Sequence, residues 1–135
     1  MSAVFLILGA AFVVIAAALH VVIFSLESVS WSKPEVWKRF GVKSADEAAI
    51  LKPMAFNQGF YNLFLGIGAL VGFAFIAQGS LRDVGIALSL FAVGSMLLAA
   101  VVLISSNPKL ARAAITQGAA PLLAVIFLVV GAATS

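Results

Sequence analysis

The chain has 135 residues, of which 64% are hydrophobic and 10% charged, with a formal net charge of +3 and a mean hydropathy of +1.20. Soluble domains are about 45–50% apolar and about 25% charged, so the composition excludes a water-soluble domain and predicts that lipid surrounds the protein. Cysteine is absent and there is one histidine. Thiolate chemistry is therefore excluded, a zinc site is not expected, and no cofactor is predicted.

Four apolar runs divide the chain, each close to the length of about 20 residues that crosses a bilayer as a helix. They are Ala3 to Leu26, Met54 to Ala77, Val84 to Ile104 and Ala113 to Ala133. Helix is required because lipid offers exposed backbone groups no hydrogen-bond partner. The sequence therefore predicts one all-α membrane domain over residues 1–135, built as a bundle of four transmembrane helices.

The first run carries two ionisable side chains, His20 and, at the end nearer the first loop, Glu27. They are seven residues apart, which places them on a shared helix face roughly 10 Å apart along the axis. An ionisable residue inside a span is a functional candidate by default, so the pair is expected to move a proton or hold a ligand. The structural alternative is that Glu27 caps the span and His20 bonds to nearby backbone.

The first loop contains two helix-start patterns. Ser32-Lys33-Pro34-Glu35 has the S-x-x-E spacing of a capping box with proline in the first turn. It predicts a short helix lying at the membrane interface, with Trp31 and Trp37 at headgroup level. The second pattern, Ser44-Ala45-Asp46-Glu47, predicts another short helix that leads to Pro53 and the second span.

The second span opens with a polar stripe whose members are paired at four-residue spacing. The stripe consists of Asn57, Gln58, Tyr61 and Asn62. These side chains are expected either to line a site or only to join helices by hydrogen bonds.

The last two spans contribute further breaks and small residues. Asn107 and Pro108 form a helix start, so the fourth helix is expected to begin before its apolar part. Pro121 removes the N–H that would bond to the Gln117 carbonyl, which makes Gln117 either the site of a local kink or part of a pocket wall. A GxxxG pattern at 68–72 predicts close packing within the chain, with a homo-oligomer face as the alternative.

The basic residues orient the helices. Seven of the eight Lys and Arg residues lie in the first and third loops, and only Arg82 lies in the second. The positive-inside rule then predicts that those two loops are cytoplasmic and both termini outside. The polar groups of the spans fall in the cytoplasmic half, and their simplest packing is a pocket open to the cytoplasm. Because the charge lies in short loops between spans, nucleic-acid binding is not expected.

The order of these residues resembles a family of small bacterial four-helix membrane proteins catalogued as a domain of unknown function. The resemblance rests on His20…Leu26-Glu27…Trp31, Trp37…Phe40, and Asn57-Gln58-Gly59-x-Tyr61-Asn62 followed by Phe64-Leu65-Gly66. It covers nearly the whole chain and implies the fold and a bacterial inner-membrane setting, but no reaction. In architecture alone the chain is also similar to membrane isomerases of the emopamil-binding type, which use a His and Glu pair to shift a proton.

Three functions follow as hypotheses. The first is binding, or helping to transport, a small polar ligand or lipid headgroup. Its expected lining is His20, Glu27, Asn57, Gln58, Tyr61, Asn62 and Gln117. The second is a membrane enzyme of lipid or isoprenoid metabolism with His20 and Glu27 as the proton-transfer pair. The third is a structural accessory subunit, in which the polar groups only join helices. Membrane lipid is the expected partner in each case.

Overall fold

The computed structural model describes residues 1–134, which are almost entirely helical and contain no strand. Five α-helices follow one another along the chain. They are α1 (Ser2–Phe24), α2 (Pro34–Trp37), α3 (Ala45–Gln78), α4 (Arg82–Ser106) and α5 (Ala111–Ala133). All but α2 belong to segments long and apolar enough to cross a membrane. The predicted all-α architecture of four spans, with a short helix in the first loop, is confirmed.

The four long helices form a closed ring. Helix α1 packs against α3 and α5, and α4 packs against the same two helices from the opposite side. Fully buried aliphatic side chains fill the centre, among them Val13, Val93, Met96 and Leu128. Consecutive long helices run antiparallel, so the first and third loops meet at one end. There, a β-carbon placed on Gly41 would lie 3.7 Å from Leu110 Cδ2.

Small residues set the spacing of α3 and α4 at the other end of the bundle. A β-carbon placed on Gly85 would lie 2.7 Å from the Gly72 carbonyl oxygen, and one placed on Gly72 would lie 2.8 Å from Ser89 N. Backbones approach this closely only where side chains are absent or small. The predicted packing role within the chain is confirmed for Gly72.

The second span differs from its prediction. The separate short helix expected before Pro53 is wrong, because α3 runs unbroken through that residue. Its start is as predicted, since Ser44 Oγ accepts a hydrogen bond of 3.1 Å from Glu47 N. Pro53 cannot donate to the Ala49 carbonyl, but Ala49 is exposed near the loop end of the bundle. Water can therefore bond to that oxygen, and the helix continues.

The length of α3 has a geometric consequence. Its 34 residues correspond to about 51 Å of helix, whereas the hydrocarbon core is about 30 Å thick. The other three spanning segments, with 28, 25 and 26 residues, exceed that core by less. The first turns of α3 therefore project past the apolar part of the bundle and provide a surface on which the first loop packs.

The capping box expected at Ser32 does not form. Helix α2 begins at Pro34 with Lys33 as its N-cap residue, and no side chain caps it. The residue before a proline is held in extended conformation, and Lys33 has φ −85° and ψ 128°. The helix therefore begins one residue too late for Ser32 to reach its first free N–H groups.

The start of the last span agrees with its prediction. Asn107 Oδ1 accepts a hydrogen bond of 3.3 Å from Lys109 N. A 3-10 turn over Pro108–Leu110 then leads directly into α5. This helical segment therefore begins before its apolar part.

Candidate functional site

The end of the first span is widened. After Phe24 the α-helical pattern changes to a π-helical turn over Ser25–Val29, in which Ser30 N donates to Ser25 O at 2.9 Å. Single π turns inside helices occur frequently at functional sites. Glu27 lies in the middle of this turn and is 8% exposed, so the widened turn carries the buried carboxyl of the span.

A glycine on α3 makes room for this turn. A β-carbon on Gly59 would collide with Ser28 Oγ and would lie 3.1 Å from Glu27 Cβ. The same hydroxyl donates a hydrogen bond of 2.8 Å to the Phe56 carbonyl. The backbone of α3 and the π turn are therefore in direct contact and joined by a hydrogen bond, which fixes the position of Glu27.

The Glu27 carboxyl is oriented by an amide from the neighbouring helix. Asn62 Nδ2 donates to Glu27 Oε2 at 2.9 Å and also to the Gln58 carbonyl oxygen at 3.1 Å. Each proton of that amide thus has an acceptor, one in the π turn and one on α3 itself. The arrangement leaves Glu27 as an acceptor beside a cavity.

This cavity, of about 270 Å³, lies at the first-loop end of the bundle. Its lining comes from the π turn, the first loop and the start of α3. The lining residues are Glu27, Trp31, Phe40, Val42, Leu51, Met54, Ala55 and Gln58. The site therefore combines one carboxyl and one amide with a wall of aromatic and aliphatic side chains.

The aromatic wall is held by protein contacts. Trp31 Nε1 donates to the Ala48 carbonyl at 2.9 Å, and the Trp31 and Phe40 rings have centroids 5.4 Å apart. Trp31 and Trp37 are each 6% exposed and pack in one cluster with residues of α3. The headgroup level expected for the two tryptophans stays a prediction, but the first loop folds onto the projecting turns of α3 and buries both side chains against protein.

His20 is not joined to this site by a hydrogen bond. It is 2% exposed, and its Nδ1 lies 2.9 Å from the Ala16 carbonyl oxygen. A carbonyl can only accept, so Nδ1 carries the proton of this bond. His20 does not line the cavity, and its bond to its own helix matches the structural alternative derived from the sequence.

The other predicted site residues fall in different places. Gln58 lines the cavity and Asn62 contacts Glu27, but Asn57 and Tyr61 are exposed on another face of α3. Gln117 is half-buried on α5 and outside the cavity lining. The stripe read from the sequence is therefore divided between two faces of one helix.

Two groups of residues that form the site were not predicted from the sequence. Ser28 and Gly59 position Glu27. Six of the eight lining residues were also not predicted to line a site: Trp31, Phe40, Val42, Leu51, Met54 and Ala55. The signal for Gly59 was present, because glycine inside a polar helical stretch commonly marks a close approach of backbones. No comparable signal marked Leu51 or Ala55, which look like any other apolar helix positions.

A second cavity of about 240 Å³ lies between α4 and α5 and is apolar throughout. Ser105, Ser106 and Thr116 side chains donate to carbonyls of their own helices rather than to a ligand site. Within residues 1–134, no group of three or more His, Asp and Glu residues is placed to hold a metal ion.

Comparison with known proteins identifies the family but no activity. No curated protein and no solved structure matches the chain. Residues 14–129, which include the whole Glu27 cavity, match the family described as "Protein of unknown function (DUF1304)". The match covers well over half of the 135 residues, and the chain belongs to the DUF1304 family.

Proposed function

We propose that this protein binds a small polar ligand or a lipid headgroup in the Glu27 cavity, as a receptor or as part of a transport step. The observation that carries the proposal is the buried Glu27 carboxyl, oriented by Asn62 at 2.9 Å and bordering a cavity. An ionisable group at membrane depth is costly to retain without a partner. A ligand at this position supplies one.

The size of the cavity limits the ligand. Drug-sized ligands occupy pockets of about 300–1,000 Å³, whereas this cavity measures about 270 Å³. It suits a molecule of a few heavy atoms, or the headgroup of a lipid whose chains remain outside. Met54 and Gln58 lie on its rim and are exposed, which provides an entrance.

Binding is favoured over the enzyme hypothesis by the composition of the lining. A proton-transfer mechanism of the kind expected from the sequence needs two titrating groups beside the substrate. Glu27 is the single ionisable side chain among the eight lining residues, and His20 bonds to Ala16 on its own helix. One carboxyl among aromatic and aliphatic groups supports recognition better than acid–base chemistry.

The direct test is native mass spectrometry of the protein extracted from its own membrane in mild detergent. We expect the wild type to retain an additional mass that Glu27→Gln loses. Glu35→Gln is the matched control, because Glu35 is exposed on α2 and outside the lining. Unfolding curves must show that both variants fold.

Filling the entrance provides a second arm. Met54→Trp should displace the bound mass, whereas Ile50→Trp, an exposed position one turn earlier on α3 and outside the lining, should not. If the retained mass is the same in wild type, Glu27→Gln and Met54→Trp, the binding proposal is wrong. A Glu27→Gln effect confined to capture of another membrane protein supports the accessory-subunit hypothesis instead.

We further propose that this site opens to the cytoplasm of a bacterial cell, with both termini outside. The argument is the seven-to-one distribution of basic residues, together with the meeting of the first and third loops at one end. The chain has no cysteine, so an introduced cysteine is the single thiol of the protein that a reagent can label. Lys43→Cys should resist a membrane-impermeant thiol reagent in intact cells, and Ser80→Cys should react. The reverse labelling pattern would mean that the first loop lies outside the cell.

A further inference from the structure

We propose that the Glu27 cavity selects a small organic cation with apolar substituents, of the alkylammonium type, rather than a neutral hydrogen-bond donor or an anion. This inference rests on the proposed binding function and adds the charge and chemical class of the ligand. The observation behind it is that one carboxyl faces a cavity walled by two aromatic rings.

The charge of the ligand follows from what surrounds the carboxyl. The hydrogen bond to Glu27 comes from the neutral amide of Asn62, and the other seven lining residues carry no charge. A buried carboxylate without a counter-charge is unfavourable. An anion disfavours the ionised carboxyl by repulsion, and a neutral donor supplies no charge opposite to it. A monovalent cation supplies the missing counter-charge.

The apolar substituents follow from the rest of the wall. Trp31 and Phe40 meet at a centroid distance of 5.4 Å with their planes tilted by 51°, so two aromatic rings border one space. Ring faces attract cations, most strongly when water is excluded, and alkylated ammonium groups suit such sites because they are weakly hydrated. Val42, Leu51 and Met54 complete the wall and favour carbon substituents over a hydrated metal ion.

The aromatic positions are fixed in advance of binding. Trp31 Nε1 is bound to the Ala48 carbonyl at 2.9 Å, which prevents the indole from turning its N–H toward the ligand. The indole therefore presents ring surface rather than a donor to the cavity. That orientation suits a cation and offers no hydrogen bond to a carboxylate or phosphate.

The test compares probes of matched shape on purified protein in an uncharged maltoside detergent. The cation is choline, and its neutral isostere is 3,3-dimethylbutan-1-ol, in which carbon replaces the quaternary nitrogen. Choline should bind at least about tenfold more tightly than the isostere to wild type. Glu27→Gln should reduce this preference to about twofold or less, and Glu35→Gln should leave it unchanged.

An aromatic variant separates the ring contribution from that of the carboxyl. Phe40→Leu keeps an apolar wall but removes a ring face, so choline affinity should fall by several fold while binding of the neutral isostere stays the same. Phe40→Tyr should retain the choline affinity, which shows that any loss comes from the ring rather than from misfolding.

A short-chain phosphatidylcholine carries the same trimethylammonium group on a lipid and distinguishes the two sources of this chemistry. Tighter binding of that lipid supports a headgroup as ligand, and tighter binding of free choline supports a soluble amine. Equal binding of choline and its isostere to wild type overturns the cation inference, as does the absence of Glu27-dependent binding by any probe. The proposed function is tested separately, by whether native mass spectrometry finds a bound mass that is lost in Glu27→Gln.

Discussion

The two ends of the bundle are packed differently. At the end distant from the first loop, α3 and α4 touch backbone to backbone at Gly72, Gly85 and Ser89. At the first-loop end, α1 widens into a π turn, and the space beside Glu27 is left as a cavity of about 270 Å³. Backbones in contact leave no room for a ligand, whereas this cavity is open at Met54 and Gln58. The end distant from the first loop is therefore packed for stability, and the first-loop end has the space that the proposed binding requires.

The largest expected effect lies at the close-packed end. Gly85→Ala should destabilise the protein by about 3 kcal/mol or more, because overpacking of a tight interface costs about 1–3 kcal/mol and here the new β-carbon meets backbone atoms of Gly72 and Ile76. Backbone cannot move aside as a side chain can. The measurement is reversible unfolding in mixed micelles with increasing denaturing detergent.

The control for this substitution is Gly94→Ala on the same helix, where no neighbouring atom lies within 4 Å of the added β-carbon. Gly94→Ala should be close to neutral. Similar losses in the two variants would show that α3 and α4 do not approach each other as closely as described.

The next effect concerns the contact that positions Glu27. Gly59→Ala should cost about 1–3 kcal/mol, since the β-carbon collides with Ser28 Oγ. Ser28→Ala alone loses one interhelical hydrogen bond, at about 0.6–1.7 kcal/mol. In the double variant the oxygen that causes the clash is gone, so the combined cost should fall below the sum. Purely additive losses contradict a direct contact between the two residues.

A smaller effect compares two asparagines of one helix. Asn62→Ala removes the hydrogen bond to Glu27 and should cost about 1 kcal/mol. Asn57→Ala, at an exposed position, should change stability by less than about 0.5 kcal/mol. Unfolding measurements on both variants, together with retention of the native ligand mass, test whether stability and binding depend only on the helix face that meets Glu27. Equal effects would mean that the polar stripe acts as a single unit.

These asparagines also show what the sequence predicts and what it does not. Four spans follow from apolar length, and the start of the short loop helix follows from Pro34 in its first turn, although the predicted cap does not form. Which of these two asparagines faces the first span depends on how α3 is rotated about its axis, and the contact of Gly59 with Ser28 fixes that rotation. Spacing along one helix separates the two positions by about 140°, but it does not tell which of them meets the neighbouring helix.

The same reasoning applies to the aromatic residues and to Pro53. Trp31 was expected at headgroup level because tryptophan favours that depth. Its burial under the first loop was not predicted, because that burial depends on the projecting turns of α3. The unbroken length of α3 was missed because proline usually marks a helix boundary. A proline near an exposed helix end is tolerated when water can bond to the freed carbonyl, and sequence alone does not reveal that exposure.

The smallest expected effect has the opposite sign and lies at the close-packed end. Ser89 is fully buried on α4, and its Oγ makes no hydrogen bond with any other described residue. A buried hydroxyl without a partner costs about 1–3 kcal/mol, whereas alanine keeps the β-carbon and removes only the oxygen. Ser89→Ala should therefore stabilise the protein by about 0.5–1 kcal/mol. This is only part of the cost of the unpaired hydroxyl, because the substitution also leaves a small void.

Ser95→Ala is the control, since Ser95 Oγ donates to the Phe91 carbonyl at 2.8 Å and the loss of that hydrogen bond should not stabilise the protein. A destabilised Ser89→Ala variant would mean that this hydroxyl has a partner across the α3–α4 contact, and the close-packed end would then depend on polar bonding as well as on small residues.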